Sequence, residues 1–320
     1  MNISLLTENL TNPALLFFFL GIISVQLKSD LEIPSNSSKF ISLYLLLSIG
    51  FKGGQELSHE VYTSEIGLSI LFGIFLSAFI PFYTFFILRR KLPVYDAGAI
   101  AAAYGSVSAV TFVTAVSYLE LKSMPVHGHM VAIMALMETP AIIAGLLLIG
   151  TFAGSNEGLN KAKAIKHSFT NGSVMLILGS LVIGLLASAK HAEGIKPFTT
   201  DIFKGFLAIF LLDMGIESGK KIKSFLNNGW FPLAFAIVIP LINGCLTAYV
   251  SRYVTADESN RFLFSILAAS ASYIAVPAAM KIAVPQANPG LFLPMTLAVT
   301  FPVNITIGMP LYMWIVQSAV

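Results

Sequence analysis

The sequence predicts an all-α polytopic membrane protein with about ten transmembrane helices, arranged as two inverted five-helix repeats. The first observation behind this prediction is composition. Apolar side chains make up 56% of the 320 residues and charged side chains 11%, and the mean hydropathy is +0.81. Soluble domains are far more polar than this. A span needs about 20 residues, so ten spans leave room for short connections only.

Apolar runs separated by charged or helix-breaking residues define ten spans in chain order. In the first half we expect them at about 12–28, 36–56, 64–88, 95–118 and 128–152. In the second half we expect them at about 172–189, 198–218, 229–253, 260–281 and 290–318. The chain start lacks the basic region and cleavage site of a signal peptide, so the first run is interpreted as a retained helix. The domain prediction is a first repeat at 1–153, a cytoplasmic connection at 154–170 and a second repeat at 171–320.

Basic residues are concentrated in alternate connections between the predicted spans. The richer set contains Lys28, Lys39, Arg89, Arg90, Lys91, Lys161, Lys163, Lys166, Lys220, Lys221, Lys223 and Lys281. The poorer set contains Lys122, Lys190, Lys196, Arg252 and Arg261. Because cytoplasmic connections carry the excess of Lys and Arg, we expect the first set inside the cell and both termini on the outer face.

The second observation is that the two halves match each other in order. The segment ending in Gly50-Phe-Lys-Gly-Gly54 parallels the one ending in Gly215-Ile-Glu-Ser-Gly219. The segment Met137–Pro140 likewise parallels Val299–Pro302. With five spans in each half, the second copy enters the membrane from the opposite side, as in the inverted repeats of secondary transporters. The glycine matches taken alone are also typical of helix packing.

Two hydroxyl-rich stretches, Tyr104–Thr114 and Ala268–Pro277, predict that spans four and nine are broken helices facing each other. Ser106 corresponds to Ser270 and Ser108 to Ser272, both at a spacing of 164 residues. Opposed helix starts bind a small anion through free amides without needing arginine. The predicted substrate-binding residues are Gly105, Ser106, Ser108, Ser270, Ser272 and Tyr273. The alternative is that these serines bond back to a carbonyl four residues earlier or pack between helices.

Oxygen-bearing side chains in the spans predict a site for a hard coupling cation such as sodium. The candidates are Thr111, Glu138, Thr139, Asp213, Thr300 and Asn304; each is equally compatible with a structural role. Glu138 is a candidate for cation or proton coupling, because a carboxylate within a span normally has a partner or a function. Asp213 could ligate a cation, cap a broken helix or pair with Lys204. We expect Glu217 to reach the interface and Lys52 to snorkel.

The sequence offers little support for other classes of protein. It contains no glycine-rich phosphate loop, nucleophile elbow or zinc-protease helix, so an enzyme is not expected. His127 and His129 form a pair without further ligands nearby in sequence, and no metal site other than the sodium site is predicted. We expect no cofactor and no nucleic-acid partner.

Six short motifs together resemble the sodium-dependent bicarbonate transporter family, typified by a cyanobacterial plasma-membrane transporter. They are Ile49–Gly54, Gly105–Ser108, Glu138–Ala141, Met214–Glu217, Ala268–Ser272 and Pro285–Pro289. The resemblance implies core and scaffold domains, an elevator-like movement, a homotrimer in the lipid bilayer of the inner membrane, and sodium-coupled uptake of bicarbonate. It makes Ser106, Ser108, Thr111, Ser270 and Ser272 the counterparts of binding positions.

The sequence departs from the family pattern in three places. Tyr273 stands where the family has an aspartate, Asp213 stands where the family is apolar, and Val276 replaces the glycine of a Gly-Pro pair. The resemblance also implies regulation by a small PII-like protein, although the connection at 154–170 is shorter than the family's. Two alternatives remain open: transport of another small carboxylate, possibly proton-coupled, and a membrane receptor that binds a ligand without moving it.

Overall fold

A computed structural model of the chain describes residues 13–61, 63–153, 172–226 and 229–318. Within those ranges the regular structure is entirely helical and contains no strand. This confirms the all-α prediction. The predicted cytoplasmic connection at 154–170 lies outside the described residues, as do the outermost residues of both predicted repeats.

The helices lie close to the predicted spans. In the first half they are α1 (Pro13–Gln26), α2 (Ser35–His59), α3 (Ser64–Leu88), α4 (Val94–Gly105), α5 (Ala109–Leu121), α6 (Gly128–Leu136) and α7 (Glu138–Phe152). In the second half they are α8 (Gly172–Leu186), α9 (Ala189–Lys196), α10 (Phe203–Leu226), α11 (Trp230–Val250), α12 (Glu258–Ala269), α13 (Ala275–Ala283), α14 (Pro289–Pro294), α15 (Phe301–Val303) and α16 (Met309–Ser318). Wider π-helical turns link α14 to α15 and α15 to α16.

In the described part of the chain, five helical stretches are long and apolar enough to cross a membrane. They are Ser64–Leu88, Val94–Leu121, Gly128–Phe152, Trp230–Tyr253 and Pro289–Ser318. The shorter helices α1 and α8 are also apolar. Helices satisfy their own backbone hydrogen bonds, which is required wherever lipid replaces water. The chain is therefore a multi-pass membrane protein, as the composition predicts.

Spans four and nine are broken, as predicted. Residues 106–108 separate α4 from α5, and residues 270–274 separate α12 from α13. Ser106 and Ser270, which follow the last turn of α4 and α12, have extended backbones with ψ values of −178° and 167°. These extended conformations end α4 and α12, and the second half-helices, α5 and α13, begin a few residues later.

The helices of the two halves pack in reciprocal pairs. Helix α1 lies along α10 where Gly21 faces Gly215, and α2 lies along α8 where Gly54 faces Gly184. A Cβ atom at any of these glycines would overlap a backbone oxygen of the facing helix. These glycines thus allow close helix contacts, the role that small residues commonly have in membranes. A second group of helices, α3 with α4 and α7 and α11 with α12 and α16, packs beside these pairs.

Candidate functional site

The two broken helices meet directly, and each donates a backbone amide to the other. The Ser108 N–H donates to Ser270 Oγ at 3.1 Å. The Ser272 N–H donates to the Ala103 carbonyl at 2.8 Å. The unwound segments 106–108 and 270–274 therefore lie against each other in the interior, as the paired serine clusters predict. The place where these two segments meet is called here the crossing.

The serines also set where the second half-helices begin. Ser108 precedes α5, and its Oγ accepts the Thr111 N–H at 3.1 Å, which is an ordinary helix N-cap. Ser272 Oγ accepts the Val276 N–H at 3.3 Å at the start of α13. Ser270 Oγ donates to the Leu267 carbonyl at 3.1 Å while accepting from Ser108. Ser270 thus bonds back to its own helix, close to what the alternative interpretation describes, whereas Ser108 and Ser272 accept N–H groups at the starts of the following helices.

Four of the backbone amides at the two helix breaks are already hydrogen-bonded within the protein. Those of Ser106 and Ser270 bond back to α4 and α12, at 3.0 and 2.9 Å. Those of Ser108 and Ser272 bond across the crossing. The sequence could not reveal this, because the crossing bonds depend on how the two segments pack.

A small cavity of about 20 Å³ lies beside the crossing. Its polar lining comes from Ser108, Ser272, Tyr273 and Glu138, together with Ser42 of α2 and Ser173 of α8. A volume of this size holds about one water molecule. The cavity brings together four of the predicted site residues from three separate parts of the chain.

Three other predicted residues lie at the crossing but do not line this cavity. Gly105 packs on α3, where a Cβ atom would overlap the Pro81 ring. The Ser106 side chain is fully buried, and its Oγ has no hydrogen-bond partner among the described residues. Ser270 is occupied by the bonds already described.

Glu138 begins α7 and is one of the residues that line the small cavity. The side chain is 8% exposed, and Oε2 is buried without a hydrogen-bond partner within the described ranges. A charge without a partner is expensive inside a membrane, so such a group normally binds a cation or a proton. Glu138 is the carboxylate that this structure places at the crossing.

Asp213 lies instead in a wider vestibule of about 530 Å³, called here the Asp213 vestibule. Its carboxylate accepts a hydrogen bond from Ser38, which lies on α2. Lys204, the partner that the sequence suggested, lies on α10 together with Asp213. Glu217, on the same helix, forms ion pairs with Lys221 at 3.0 Å and Lys220 at 3.7 Å. The Asp213 vestibule shares lining residues with the small cavity: Ser42, Ser173, Phe210, Tyr273 and Ile274.

The remaining cation candidates are buried near the crossing and mostly engaged in structural bonds. Thr300 Oγ1 bonds to Tyr104 Oη and to the Ala236 carbonyl, both at 2.7 Å. Asn304 Nδ2 donates to the Ala269 carbonyl at 2.7 Å, and its Oδ1 accepts from Tyr312 at 2.9 Å. The Asn304 bond therefore holds the last residue of α12, and the Thr300 bonds connect α4 with α11. Thr111 and Thr139 are buried, and neither lines the small cavity.

The sequence did not reveal a second vestibule, of about 330 Å³, called here the Lys52 vestibule. Lys52 forms an ion pair with Glu120 of α5 at 2.6 Å, instead of snorkelling alone. The partners are far apart in sequence, so no local spacing signals the pair. Glu56 and Val116 also line this space, and no lining residue is shared with the small cavity.

One face of α2 connects these spaces. Ser38 and Ser42 line the Asp213 vestibule, Leu45 and Leu46 the small cavity, and Ile49, Lys52 and Glu56 the Lys52 vestibule. These positions recur every three or four residues, which is the spacing of a single helix face. A path with α2 as its wall therefore runs from one vestibule, past the crossing, toward the other.

Comparison with known proteins agrees with this architecture. Among curated proteins, none matches the chain. A family model described as the Na⁺-dependent bicarbonate transporter superfamily matches residues 13–317, nearly the whole sequence. The chain therefore belongs to the Na⁺-dependent bicarbonate transporter superfamily.

Proposed function

We propose that this protein is a secondary active transporter that takes up bicarbonate, or a similar small anion, together with sodium. One observation carries the proposal: a small cavity beside two crossed, broken helices, lined by hydroxyls and by a buried carboxylate, and adjoining a wide vestibule. Secondary transporters hold their substrates at such breaks. Family membership supports bicarbonate as the substrate.

The anion would lie at the start of α5 and α13, where helix dipoles and hydroxyls favour negative charge. Because the amides of Ser108 and Ser272 are already bonded, the amides of Val107 and Tyr273, which both line the cavity, are the backbone donors in this proposal. Bicarbonate is larger than one water molecule, so the cavity must widen to admit it. Tyr273 borders both the cavity and the Asp213 vestibule and is the side chain that would move.

Glu138 would couple the anion to a cation. Two negative charges 4 Å apart repel by about 4 kcal/mol at an effective dielectric constant of 20. An anion therefore binds beside the ionised Glu138 only when a cation or a proton accompanies it. Sodium, which prefers oxygen ligands, would bind between Glu138 and the hydroxyls of Ser108 and Ser272.

The proposal includes the finer expectations that follow from the family resemblance. These are inverted repeats forming a core and a scaffold, elevator-like movement, a homotrimer in the inner membrane, outward-facing termini and a PII-like regulator. The reciprocal packing of α1 on α10 and of α2 on α8 supports the inverted repeat.

The first experiment measures uptake of labelled bicarbonate into proteoliposomes, with and without an inward sodium gradient. We expect sodium to be required, and Glu138→Gln to reduce sodium-driven uptake at least about tenfold, consistent with the loss of a buried charged partner. Glu217→Gln is the matched control, because that carboxylate is partly exposed and pairs with lysines of its own helix. Folded wild-type protein that shows no sodium-dependent uptake would contradict the proposal.

Proton coupling through Glu138 is the second candidate, favoured by the absence of a basic partner for its Oε2 within the described ranges. In that case uptake by the wild type follows a pH gradient, and Glu138→Gln removes that dependence. Replacing bicarbonate by other small carboxylates in the same assay tests the substrate. Exchange of labelled substrate across the sealed membrane separates a carrier from a receptor that only binds.

A further inference from the structure

A cluster of acids and histidines lies beyond the Lys52 vestibule and takes no part in the proposed site. Its centre is Glu60, at the end of α2. Glu60 Oε1 accepts the Gly128 N–H at 2.6 Å, and Oε2 lies 2.8 Å from His129 Nδ1. The Glu60 side chain is only 14% exposed. The end of α2 is therefore bound to the first turn of α6.

His127 extends the cluster to a third helix. Its Nε2 lies 3.4 Å from Asp257 Oδ2, and its Nδ1 lies 3.8 Å from Glu60 Oε1. The His127 and His129 rings stack with centroids 5.7 Å apart. Asp257 caps α12 by accepting the Asn260 N–H at 2.8 Å. Since α12 leads directly to Ser270, the cluster links α2 to the helix that carries half of the crossing.

Close backbone packing accompanies these polar contacts. A Cβ atom on Gly128 would overlap the Gly53 carbonyl oxygen and crowd the Leu57 amide. Pro125 and Val126, just before His127, form part of the wall of the Lys52 vestibule. Any separation of α2 from α6 at this point would therefore widen that vestibule toward the crossing.

We infer that Glu60, His127 and Asp257 form a proton-sensitive latch that holds α2 against α6 and α12 and keeps the crossing closed from the Lys52 side. The titratable groups facing His127 are Glu56 and Glu60 from α2, His129 from α6 and Asp257 ahead of α12. A protonated His127 between two carboxylates stabilises the latched arrangement. A neutral His127 can satisfy only one of them through a donated hydrogen bond.

The direction of the pH effect follows from the contacts. The hydrogen bond with Asp257 raises the pKa of His127, with burial acting in the opposite direction and the charges of Asp257, Glu60 and Glu56 adding to the rise. A proton that binds more tightly in the latched state favours that state at low pH. The latch is therefore complete below the ordinary pKa of histidine and weakens as pH rises through the elevated value.

Pulsed electron spin resonance on the full chain tests the latch without any need for transport. Spin labels are placed at Val61 and Tyr253, which are 80% and 71% exposed near the ends of α2 and α11, in a Cys245→Ala background. We expect one short distance at low pH and a second, longer distance whose share grows as pH rises. Because transport is not measured, failure of this test is distinct from failure of the proposed function.

Three variants identify the groups responsible. Asp257→Asn keeps the helix cap, since Asn caps as well as Asp, but removes the charge beside His127. We expect it to shift the appearance of the longer distance to lower pH, with about a tenfold larger share at a given pH, the size expected for one hydrogen bond to a charged group. His127→Gln should remove the pH response. Glu193→Gln, which breaks an exposed pair with Lys196, should change nothing.

Two results would overturn the inference. One is a wild-type distance that does not change with pH. The other is a pH response that persists unchanged in both His127→Gln and Asp257→Asn, because the change would then arise from other groups.

Discussion

The two ends of the path along α2 are built differently. At the Asp213 end, α2 borders a space of about 530 Å³ that shares five lining residues with the small cavity. At the Lys52 end, no lining residue is shared, and Leu46, Ile49, Val113 and Val116 are all buried between the cavity and the vestibule. The crossing therefore adjoins the Asp213 vestibule and is separated from the Lys52 vestibule by buried apolar side chains.

The difference lies in how the polar groups are used. At the Asp213 end, the charged groups line open space: Glu217 pairs with lysines of its own helix, and Asp213 accepts one hydrogen bond from Ser38 of α2. At the Lys52 end they bind helices to one another, through Lys52 with Glu120 and through Glu60 with the first turn of α6. A rearrangement that separates the helices at the Lys52 end must break these contacts, whereas at the Asp213 end, among the described residues, a single hydrogen bond to a serine joins α2 to α10.

The largest effect on stability is expected from adding one methyl group at the Lys52 end and comparing it with the same change at the Asp213 end. Gly128 and Gly172 are each the first residue of a helix, α6 and α8. A Cβ atom at Gly128 would overlap Gly53, whereas one at Gly172 meets nothing within 4 Å among the residues that the structure describes. We expect Gly128→Ala to destabilise the protein by about 1–3 kcal/mol, typical of overpacking. Gly172→Ala should be neutral or stabilising by up to about 1 kcal/mol.

Thermal unfolding of both variants in detergent measures this difference, and the spin-label distance between Val61 and Tyr253 shows whether Gly128→Ala also separates α2 from α6. Equal stability of the two variants would mean that the Lys52 end is as loosely packed as the Asp213 end. The comparison between the ends would then fail.

Tyr273 provides a test of intermediate size. It lines both the small cavity and the Asp213 vestibule, and its ring packs on Phe301 with centroids 6.4 Å apart. Tyr273→Ala should merge the two spaces and lower discrimination against larger carboxylates by about tenfold, or about 1.4 kcal/mol. Tyr273→Phe keeps the ring and should retain discrimination. Competition of carboxylates with labelled bicarbonate measures the discrimination of both variants. An equal loss in Tyr273→Phe would show that the Tyr273 hydroxyl contacts the substrate and that the ring alone does not separate the two spaces.

Much of the fold could be predicted because its signals are local. Apolar runs marked the spans, and clustered serines marked both helix breaks, because each break is encoded within a few residues. The paired positions Ser108 and Ser272 were found by comparing the halves, and both line the small cavity.

The rest depends on contacts between distant segments. In the sequence, Glu60 is an ordinary acidic residue after a helix. Its role depends on the folded structure, in which α6 places Gly128 and His129 within hydrogen-bonding distance. Thr300 and Asn304 are suitable cation ligands by type, yet the fold uses their oxygens and nitrogens to hold α11 and α12. Which end of the path is closed is likewise a property of packing, and no residue type signals it.

The smallest effect is expected from matched charge removals at the two ends. The Lys52–Glu120 pair is 31% and 25% exposed, and the Lys221–Glu217 pair is 35% and 34% exposed. Partly exposed pairs contribute about 1 kcal/mol or less, so Lys52→Gln and Lys221→Gln should each lower stability by no more than that. Thermal unfolding at low and high salt measures both. If Lys52→Gln alone costs more, and the cost does not depend on salt, then the Lys52–Glu120 pair is shielded from solvent and belongs with the contacts that close that end.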